Sequence, residues 1–231
     1  MTKISIIIPT LNEVDAIHRL LSYVKKELSK TIPFELIVVD GGSTDGTQNK
    51  VQSLHKDVIV LSSAKGRAKQ LNAGAKIATG DILYFLHCDS FPPTDFDLEI
   101  SNQVKRGNFS GCFRMKFDDA HPVLWVSQWF TRFNHLSCRG GDQSLFVTKS
   151  LFDNMGGYDE NYSIYEDNEI IKRLYKNSKF VVIPKYVITS ARRYKKNGVL
   201  RLQYHFAIIH LKRRLGHSTE SMLEYYKKNI S

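Results

Sequence analysis

Three short apolar runs near the start of the chain end abruptly in polar, turn-forming residues. Ile6–Ile8 leads into Pro9-Thr10-Leu11-Asn12-Glu13, Leu36–Val39 leads into Asp40, and Ile82–Leu86 leads into His87-Cys88-Asp89. Apolar runs bounded in this way are typical of strands buried on both faces, as in a parallel sheet. Open α/β sheets place ligands at the carboxyl ends of their strands, so these three polar, acidic tips predict a site for a nucleotide and a metal ion.

The order of apolar patterns predicts an α/β protein. Over residues 1–90, strands and helices alternate as βαβαβαβ, with a further strand predicted at Val58–Leu61 between the second and third runs. This alternation favours a mostly parallel sheet with right-handed crossovers. The second half is mixed, and its aromatic residues Trp125, Trp129, Phe130 and Phe133 have near-helical spacing, so we expect them in the core. Strands are predicted at Phe109–Phe117, Ser144–Thr148 and Phe180–Ile183, with helices from Thr94, from Pro122 and from near Glu166.

Length and composition indicate a globular protein. The 231 residues suffice for one substantial domain, and the hydrophobic fraction of 42% is ordinary. No segment approaches the roughly 18 uncharged apolar residues that cross a bilayer, and the first residues lack a signal-peptide pattern. Three widely spaced cysteines predict no disulfide or zinc site and fit a reducing compartment. We therefore expect a cytoplasmic protein.

The net charge of +10 is concentrated toward the carboxyl terminus. From about Gly198 to Lys228 the sequence predicts two basic amphipathic helices. Such a basic region attracts phosphate in a nucleotide, a nucleic acid or an anionic lipid, or is simply a solvated surface. Apolar residues beside Lys212-Arg213-Arg214 leave open a peripheral contact with the anionic inner face of a membrane.

Five motifs follow one another in a defined order. They are Pro9-Thr10-Leu11-Asn12-Glu13, Val39-Asp40-Gly41-Gly42-Ser43-Thr44-Asp45-Gly46-Thr47, Gly66-Arg67-Ala68-Lys69-Gln70-Leu71-Asn72-Ala73-Gly74, His87-Cys88-Asp89 and Glu166-Asp167. This set resembles the family 2 glycosyltransferases over roughly residues 3 to 185. Within that family it is similar to a compact bacterial subgroup with a His-x-Asp motif where most members have Asp-x-Asp.

The resemblance implies the GT-A fold, a Rossmann-like and mostly parallel central sheet flanked by helices. Residues 1–190 would form the glycosyltransferase domain, with a nucleotide-binding half at 1–90 and an acceptor-binding half at 91–190. Residues 191–231 would form a basic helical extension at the carboxyl terminus.

The resemblance also implies the inverting transfer of a sugar from a nucleoside-diphosphate sugar to an acceptor hydroxyl. A UDP-sugar is the favoured donor because the imide N–H of uracil suits the Asp40 carboxylate, while a GDP-sugar stays open. The acceptor, whether a glycan, a lipid-linked molecule or a small molecule, is not identified, and no nucleic acid partner is expected. The residues expected to bind the nucleotide are Pro9, Thr10, Glu13, Asp40, Gly66, Arg67, Asn72 and His87.

Asp89 is the expected ligand of Mg²⁺ or Mn²⁺, which would also bind the donor diphosphate. Residues i and i+2 of an extended strand end share a face, so His87 lies on the same side as Asp89. One carboxylate completed by phosphate oxygens is an acceptable set of ligands for either ion. His87 either joins the metal or donates a hydrogen bond to the ribose.

Glu166 and Asp167 are the predicted catalytic residues. By resemblance Asp167 is the general base and Glu166 assists it, although acids are also favoured in any first helical turn. Gly141, Asp142 and Gln143 resemble a segment lining the acceptor and sugar pocket, and are otherwise a tight turn before a strand. Arg192 and Arg193 either hold the diphosphate from a mobile lid or form a surface cluster.

Two other classes of function are alternatives to a glycosyltransferase. A nucleotidyltransferase shares a similar α/β layout, but Pro9–Glu13 lacks the glycine-rich, basic loop that holds a triphosphate. A non-catalytic nucleotide-binding or nucleic-acid-binding module agrees with the net charge of +10. The acids clustered at the strand ends favour the glycosyltransferase.

Overall fold

One mixed sheet of eight strands organises the computed structural model, which describes residues 2–230. The strands are β1 (Ile4–Thr10), β2 (Phe34–Asp40), β3 (Ile59–Ser62), β4 (Ile82–Phe85), β5 (Ser90–Phe91), β6 (Ser110–Phe117), β7 (Leu145–Thr148) and β8 (Phe180–Thr189). The helices are α1 (Val14–Glu27), α2 (Thr47–Leu54), α3 (Arg67–Ile77), α4 (Phe96–Lys105), α5 (Pro122–Phe130), α6 (Lys149–Asn154), α7 (Glu166–Asn177), α8 (Arg192–Asn197), α9 (Val199–Arg214) and α10 (Thr219–Asn229).

The strand order is β3-β2-β1-β4-β7-β6-β8-β5. Strands β1 to β4 are mutually parallel, which confirms the predicted parallel half. Strand β7 is antiparallel to both of its neighbours, β4 and β6, whereas β6 and β8 run parallel. Consequently the carboxyl ends of β1, β2, β4, β6 and β8 all lie at one edge of the sheet, which we call the carboxyl edge.

Two hydrophobic cores cover the two faces of the sheet. Alternate residues of β1 point to opposite faces, so Ile6 and Ile8 pack in one core with α1, and Ile7 packs in the other with α3 and α7. Helix α3 lies unusually close to β1, because a Cβ at Gly74 would lie 2.5 Å from the Ile7 side chain. Gly74, the last residue of the third motif, therefore allows this helix to pack closely against the sheet.

A third core holds the last helices against the carboxyl edge. Met115 and Phe117 of β6 pack with Leu202 and Ile209 of α9 and with Met222 of α10. Ile164 and Tyr165, just before α7, pack against the same core. The three carboxyl-terminal helices therefore cover the end of the sheet where the polar motifs lie.

Several predicted features differ from the observed fold. The aromatic residues of α5 were expected in the core, but they lie on the surface, because the buried side of this helix is formed by Leu124 and by the neighbouring Thr131. Strand β8 continues to Thr189 beyond the predicted end at Ile183, and β5, α6 and α8 were not predicted. Over residues 2–230, none of the helices has the length and apolar character needed to cross a bilayer.

Candidate functional site

Two buried acids lie at the start of α7, beside an arginine from the start of α3. Arg67 Nη1 is 2.9 Å from Glu166 Oε1 and 3.6 Å from Asp167 Oδ2. The Glu166 side chain is only 3% exposed, so its charge needs this partner. The main chain reaches α7 through Tyr165 in a left-handed conformation, with φ of 72°. The residue before the acids thus turns the helix start toward Arg67.

His87 connects these acids to the turn formed by Gly141–Gln143. Its Nε2 lies 3.6 Å from Asp167 Oδ2, and its Nδ1 lies 3.6 Å from Asp142 Oδ1. Burial and the Arg67 charge disfavour the imidazolium, but the two carboxylates outweigh them and raise the pKa of His87 to about 9. The imidazole is therefore protonated at neutral pH and forms part of the charge balance of the site.

The two acids of α7 differ in their electrostatics. Burial raises the pKa of Glu166, and the neighbouring charge of Asp167 adds to this effect. Burial also opposes ionisation of Asp167, but the interaction with His87 prevails and lowers its pKa. Of the two acids, Asp167 is therefore the one whose ionised form this environment favours.

Asp89 differs from the other acids at this edge. Among the contacts of residues 2–230, its carboxylate has no hydrogen bond or ion pair. Burial raises its pKa, the positive charge of His87 opposes this effect, and the negative charges of Asp142 and Glu13 add to it. No group of three or more potential metal ligands occurs within the described residues. A cation bound here would have Asp89 as its carboxylate ligand and would take further oxygen ligands from a substrate or from water.

The ends of β1 and β2 form one connected loop structure. The Asp40 carboxylate is fully buried and accepts hydrogen bonds from the backbone of Gly42 and Ser43, the Ser43 hydroxyl and the Gln48 amide. Its acceptor positions therefore shape the loop. Thr10, which follows Pro9 at the end of β1, is 2% exposed, and its hydroxyl has no hydrogen-bond partner in the described chain.

Residues of the third motif, Gly66–Gly74, have two structural roles. Gly66 has a φ of 138°, which an L-residue rarely adopts, and it places Arg67 at the start of α3. Asn72, one turn further, donates to Tyr158 O at 2.9 Å and accepts from Tyr158 N at 2.9 Å. Asn72 thus anchors the loop before α7, whereas Arg67 reaches the acids.

The two arginines predicted to hold a diphosphate are in different environments. Arg192 Nη2 lies 2.8 Å from Glu13 Oε1, so this side chain bridges the last helices and the first motif. Arg193 donates to the Tyr226 hydroxyl and lies over the rings of Phe206 and Tyr226. The structure therefore brings Arg192 to the predicted site and uses Arg193 to hold α10.

Gln143 is likewise an anchoring residue. It is 3% exposed, and its side-chain oxygen accepts from Arg139 Nη1 at 2.7 Å. Arg139 also donates to the carbonyls of Thr131 and Phe133, each at 2.6 Å. Arg139 belongs to none of the five motifs, and its only signal in the sequence is its position as a basic residue directly before the Gly140-Gly141-Asp142-Gln143 segment.

Comparison with known proteins agrees with this arrangement. Residues 5–158 match the family model for glycosyl transferase family 2. A dolichol-phosphate mannosyltransferase of Pyrococcus furiosus is 31% identical over 46% of this chain and 31% of that protein. An undecaprenyl-phosphate 4-deoxy-4-formamido-L-arabinose transferase of Proteus mirabilis is 24% identical over 97% of this chain and 64% of that protein. The chain thus spans about a third to two thirds of these relatives.

Solved structures show the same fold. TarS 1–349 of S. aureus, crystallised in complex with UDP-GlcNAc, superimposes with a TM-score of 0.66 and 21% sequence identity. The match covers 81% of this chain and 58% of that one. It confirms the expected GT-A arrangement of a mostly parallel sheet flanked by helices. With a family match that spans most of its length, the chain belongs to glycosyl transferase family 2.

Proposed function

We propose that this protein is an inverting glycosyltransferase that moves a sugar from a UDP-sugar to an acceptor hydroxyl with the help of a divalent cation. The observation that carries the proposal is that two acids of different character lie at one edge of the sheet. Asp167 is ionised beside His87, whereas the Asp89 carboxylate has no ion pair or hydrogen bond within the described residues. One carboxylate is suited to accept a proton, and the other is suited to bind a cation.

In the proposed reaction, Asp167 accepts the proton of the acceptor hydroxyl while the oxygen of that hydroxyl attacks the anomeric carbon of the donor sugar. The bond from that carbon to the diphosphate oxygen breaks, and the nucleoside diphosphate leaves with the bonding electrons. His87 and Arg67 both contact Asp167 Oδ2 at 3.6 Å and hold the base in position. Glu166 keeps Arg67 in place through its 2.9 Å ion pair.

Mg²⁺ or Mn²⁺ held by Asp89 would neutralise charge on the departing diphosphate. The residues present fit such an ion, because the Asp89 carboxylate has no partner within the described residues, and the negative charges of Asp142 and Glu13 lie near it together with the positive charges of His87 and Arg192. Arg192 supplies a second positive charge at this edge and forms its ion pair with Glu13. His87 is held by Asp142 and Asp167, so we assign it to positioning.

One observation supports a UDP-sugar as donor. TarS, which shares the fold, was crystallised with UDP and with UDP-GlcNAc. We assign Asp40 an indirect part, in which it fixes the loop against which the base packs.

A binding and turnover experiment tests the proposal. We expect UDP with Mn²⁺ to raise the melting temperature, and Asp89→Asn to abolish the metal-dependent part of this shift. Asp167→Asn should keep UDP binding and lose at least about 100-fold in donor hydrolysis, since general bases contribute 10²–10⁴-fold. Asp153→Asn, on the exposed side of α6, is the matched control.

The stereochemistry of hydrolysis is measured in the same experiment. NMR of the first sugar released from an α-linked donor should show the β-anomer. Retention of the α-configuration would contradict inversion. Donor turnover by Asp167→Asn within threefold of the unmodified protein would remove Asp167 as the base. A shift with GDP, CMP or dTDP in place of UDP would reassign the donor.

A further inference from the structure

Helix α5 exposes a continuous aromatic face. Trp125 is 58% exposed and Phe130 48% exposed, and they are joined by Val126, Trp129 and the adjacent Phe133. The rings of Trp129, Phe130 and Phe133 contact one another edge-on or tilted. A cluster of large exposed apolar side chains on a single helix face is uncommon on a protein surface that only faces water.

Helix α9 exposes a second apolar stripe beside the first. Leu200, Tyr204, Leu211 and Leu215 are between 53% and 70% exposed, and their spacing places them on one side of the helix. The helices adjoin, since Gln203 of α9 donates to Ser127 of α5 at 3.1 Å. We call the two faces together the α5–α9 surface.

The charge of this surface has one sign. The sequence contains no Asp or Glu between Asp119 and Asp142, or between Glu169 and Glu220. Arg132, Arg201 and Arg214 are exposed beside the apolar side chains, and the Arg132 guanidinium lies 4.6 Å from the centre of the Trp129 ring. Aromatic side chains bordered by arginine are the composition of helices that lie in the interface of an anionic bilayer.

We propose that the α5–α9 surface docks on an anionic membrane. Tryptophan, tyrosine and phenylalanine would enter the headgroup region, while the arginines would contact lipid phosphates. The alternative occupant, a second copy of this chain in a two-fold dimer, would place these arginines near their own symmetry mates without acids to pair them. The charge pattern therefore favours lipid over self-association.

Helix α9 connects this surface to the segment before the proposed base, through side chains that lie outside the exposed stripe. His210 of α9 forms a 3.0 Å hydrogen bond with the Tyr165 hydroxyl, and Arg213 donates to the hydroxyl of Tyr162. Tyr165 immediately precedes Glu166 and Asp167. Docking would therefore bring the helix that contacts this segment to the bilayer, a position that suits an acceptor carried on a lipid; this last step rests on the proposed function.

Intrinsic fluorescence tests the docking directly. The only two tryptophans of the sequence, Trp125 and Trp129, both lie on the α5–α9 surface. The unmodified protein is mixed with vesicles of phosphatidylcholine alone, or of phosphatidylcholine together with the anionic lipid phosphatidylglycerol. We expect a blue shift, and quenching by brominated lipid, only with the anionic vesicles. An unchanged spectrum at low salt would overturn the proposal.

Variants then assign the contact to this surface. In vesicle flotation, Trp125→Ser with Phe130→Ser should weaken binding at least about tenfold, and Arg201→Glu should weaken it severalfold. Phe109→Ser and Lys105→Glu are matched controls near the opposite edge of the sheet, and they should bind as the unmodified protein does. Equal loss in variants and controls would refute the assignment.

Two further results separate the possibilities. A dimer in solution that Trp125→Ser dissociates, without vesicle binding, would show that a second copy occupies the surface and would overturn the proposal. Flotation is measured without donor and also with Asp167→Asn, which should still bind vesicles. Failure of the proposed transferase chemistry therefore leaves the docking result interpretable on its own.

Discussion

Gly141 determines how closely the charged groups of the site can approach one another. A Cβ built at this position would lie 1.9 Å from Asp167 Oδ2 and 2.9 Å from His87 Cε1. Carbon and oxygen atoms cannot share that space, so any side chain at position 141 displaces the carboxylate or the imidazole. The backbone of the turn thus forms one wall of the site, and glycine is required there for space.

We predict that Gly141→Ala lowers donor turnover by about 100-fold, because a displacement of the base by about an ångström has effects of this size. Gly140→Ala is the matched control, since a Cβ at Gly140 meets no atom within 4 Å and its backbone is extended. Steady-state turnover and melting temperature are measured for both. Equal activity of the two variants would contradict the assigned packing.

The sequence predicts single site residues better than their contacts. Asp89, Asp167 and Arg67 were predicted from motifs, and the structure brings them to one edge of the sheet. Their neighbours Asp40 and Gln143 carry the same kinds of polar group, yet both are occupied by internal hydrogen bonds. Whether a polar group faces a ligand or its own loop depends on backbone conformation and on distant partners, which motif spacing does not specify.

At the level of elements, strand β8 continues past Pro184, the residue before which the predicted strand stops. The predicted strand ends at Ile183, just before the proline, which cannot donate to a ladder. In the structure Ile183 pairs with Phe113 and Tyr186 pairs with Arg114, so Pro184 and its neighbour lie in a bulge. The missing N–H falls where the ladder is interrupted, and the strand resumes beyond it.

Strand direction and helix orientation mark the limit of local patterns. The antiparallel direction of β7 depends on pairing with β4 and β6, which lie far from it in sequence. The spacing of aromatic residues in α5 predicts a helix face, but it does not say whether that face meets protein or solvent. Both features are decided by tertiary contacts.

Glu35, at the amino end of β2, joins three elements opposite the site. Its carboxylate accepts from Ser5 Oγ at 2.5 Å, Lys3 Nζ at 2.9 Å and Thr79 N at 2.7 Å. Burial opposes the charge, but these donors outweigh it and lower the pKa of Glu35 to about 2. Its contribution to stability is thus present above the unfolded pKa near 4.5 and is lost as pH falls toward 2.

We predict that Glu35→Gln lowers the free energy of unfolding by about 2 kcal/mol at pH 7, a value already reduced for solvent screening. The difference from the unmodified protein should shrink as pH falls from 4.5 to 2. Urea denaturation at several pH values measures it. Glu99→Gln, which loses a single surface ion pair with Lys185, should cost less than about 1 kcal/mol. A constant difference across that range would refute the assignment.

At the scale of the whole molecule, Arg192 and Arg193 connect the last helices to the rest in different ways. The Arg192 side chain is 57% exposed and the Glu13 side chain 25% exposed, so this partly solvated ion pair adds little stability. Arg193 is engaged with aromatic rings of α9 and α10. Arg192 therefore reaches the proposed site, whereas Arg193 mainly stabilises the packing of the last helices.

We predict opposite effects for the two substitutions. Arg192→Gln should weaken UDP binding in Mn²⁺ about tenfold while changing the free energy of unfolding by less than about 1 kcal/mol. Arg193→Gln should lower stability by about 1–2 kcal/mol and leave UDP affinity unchanged. Calorimetric titration and urea denaturation measure both quantities. The reverse pattern would exchange the two roles.

The Glu13–Arg192 contact joins residues 179 positions apart in the chain. On a ribosome that synthesises from the amino terminus, β1 to β4 can emerge and pair well before Asp167 and Arg192 exist. A nascent chain would therefore acquire first the parallel half of the sheet, where we propose that the nucleotide binds, and much later its proposed base. Donor turnover should be among the last properties that a growing polypeptide gains.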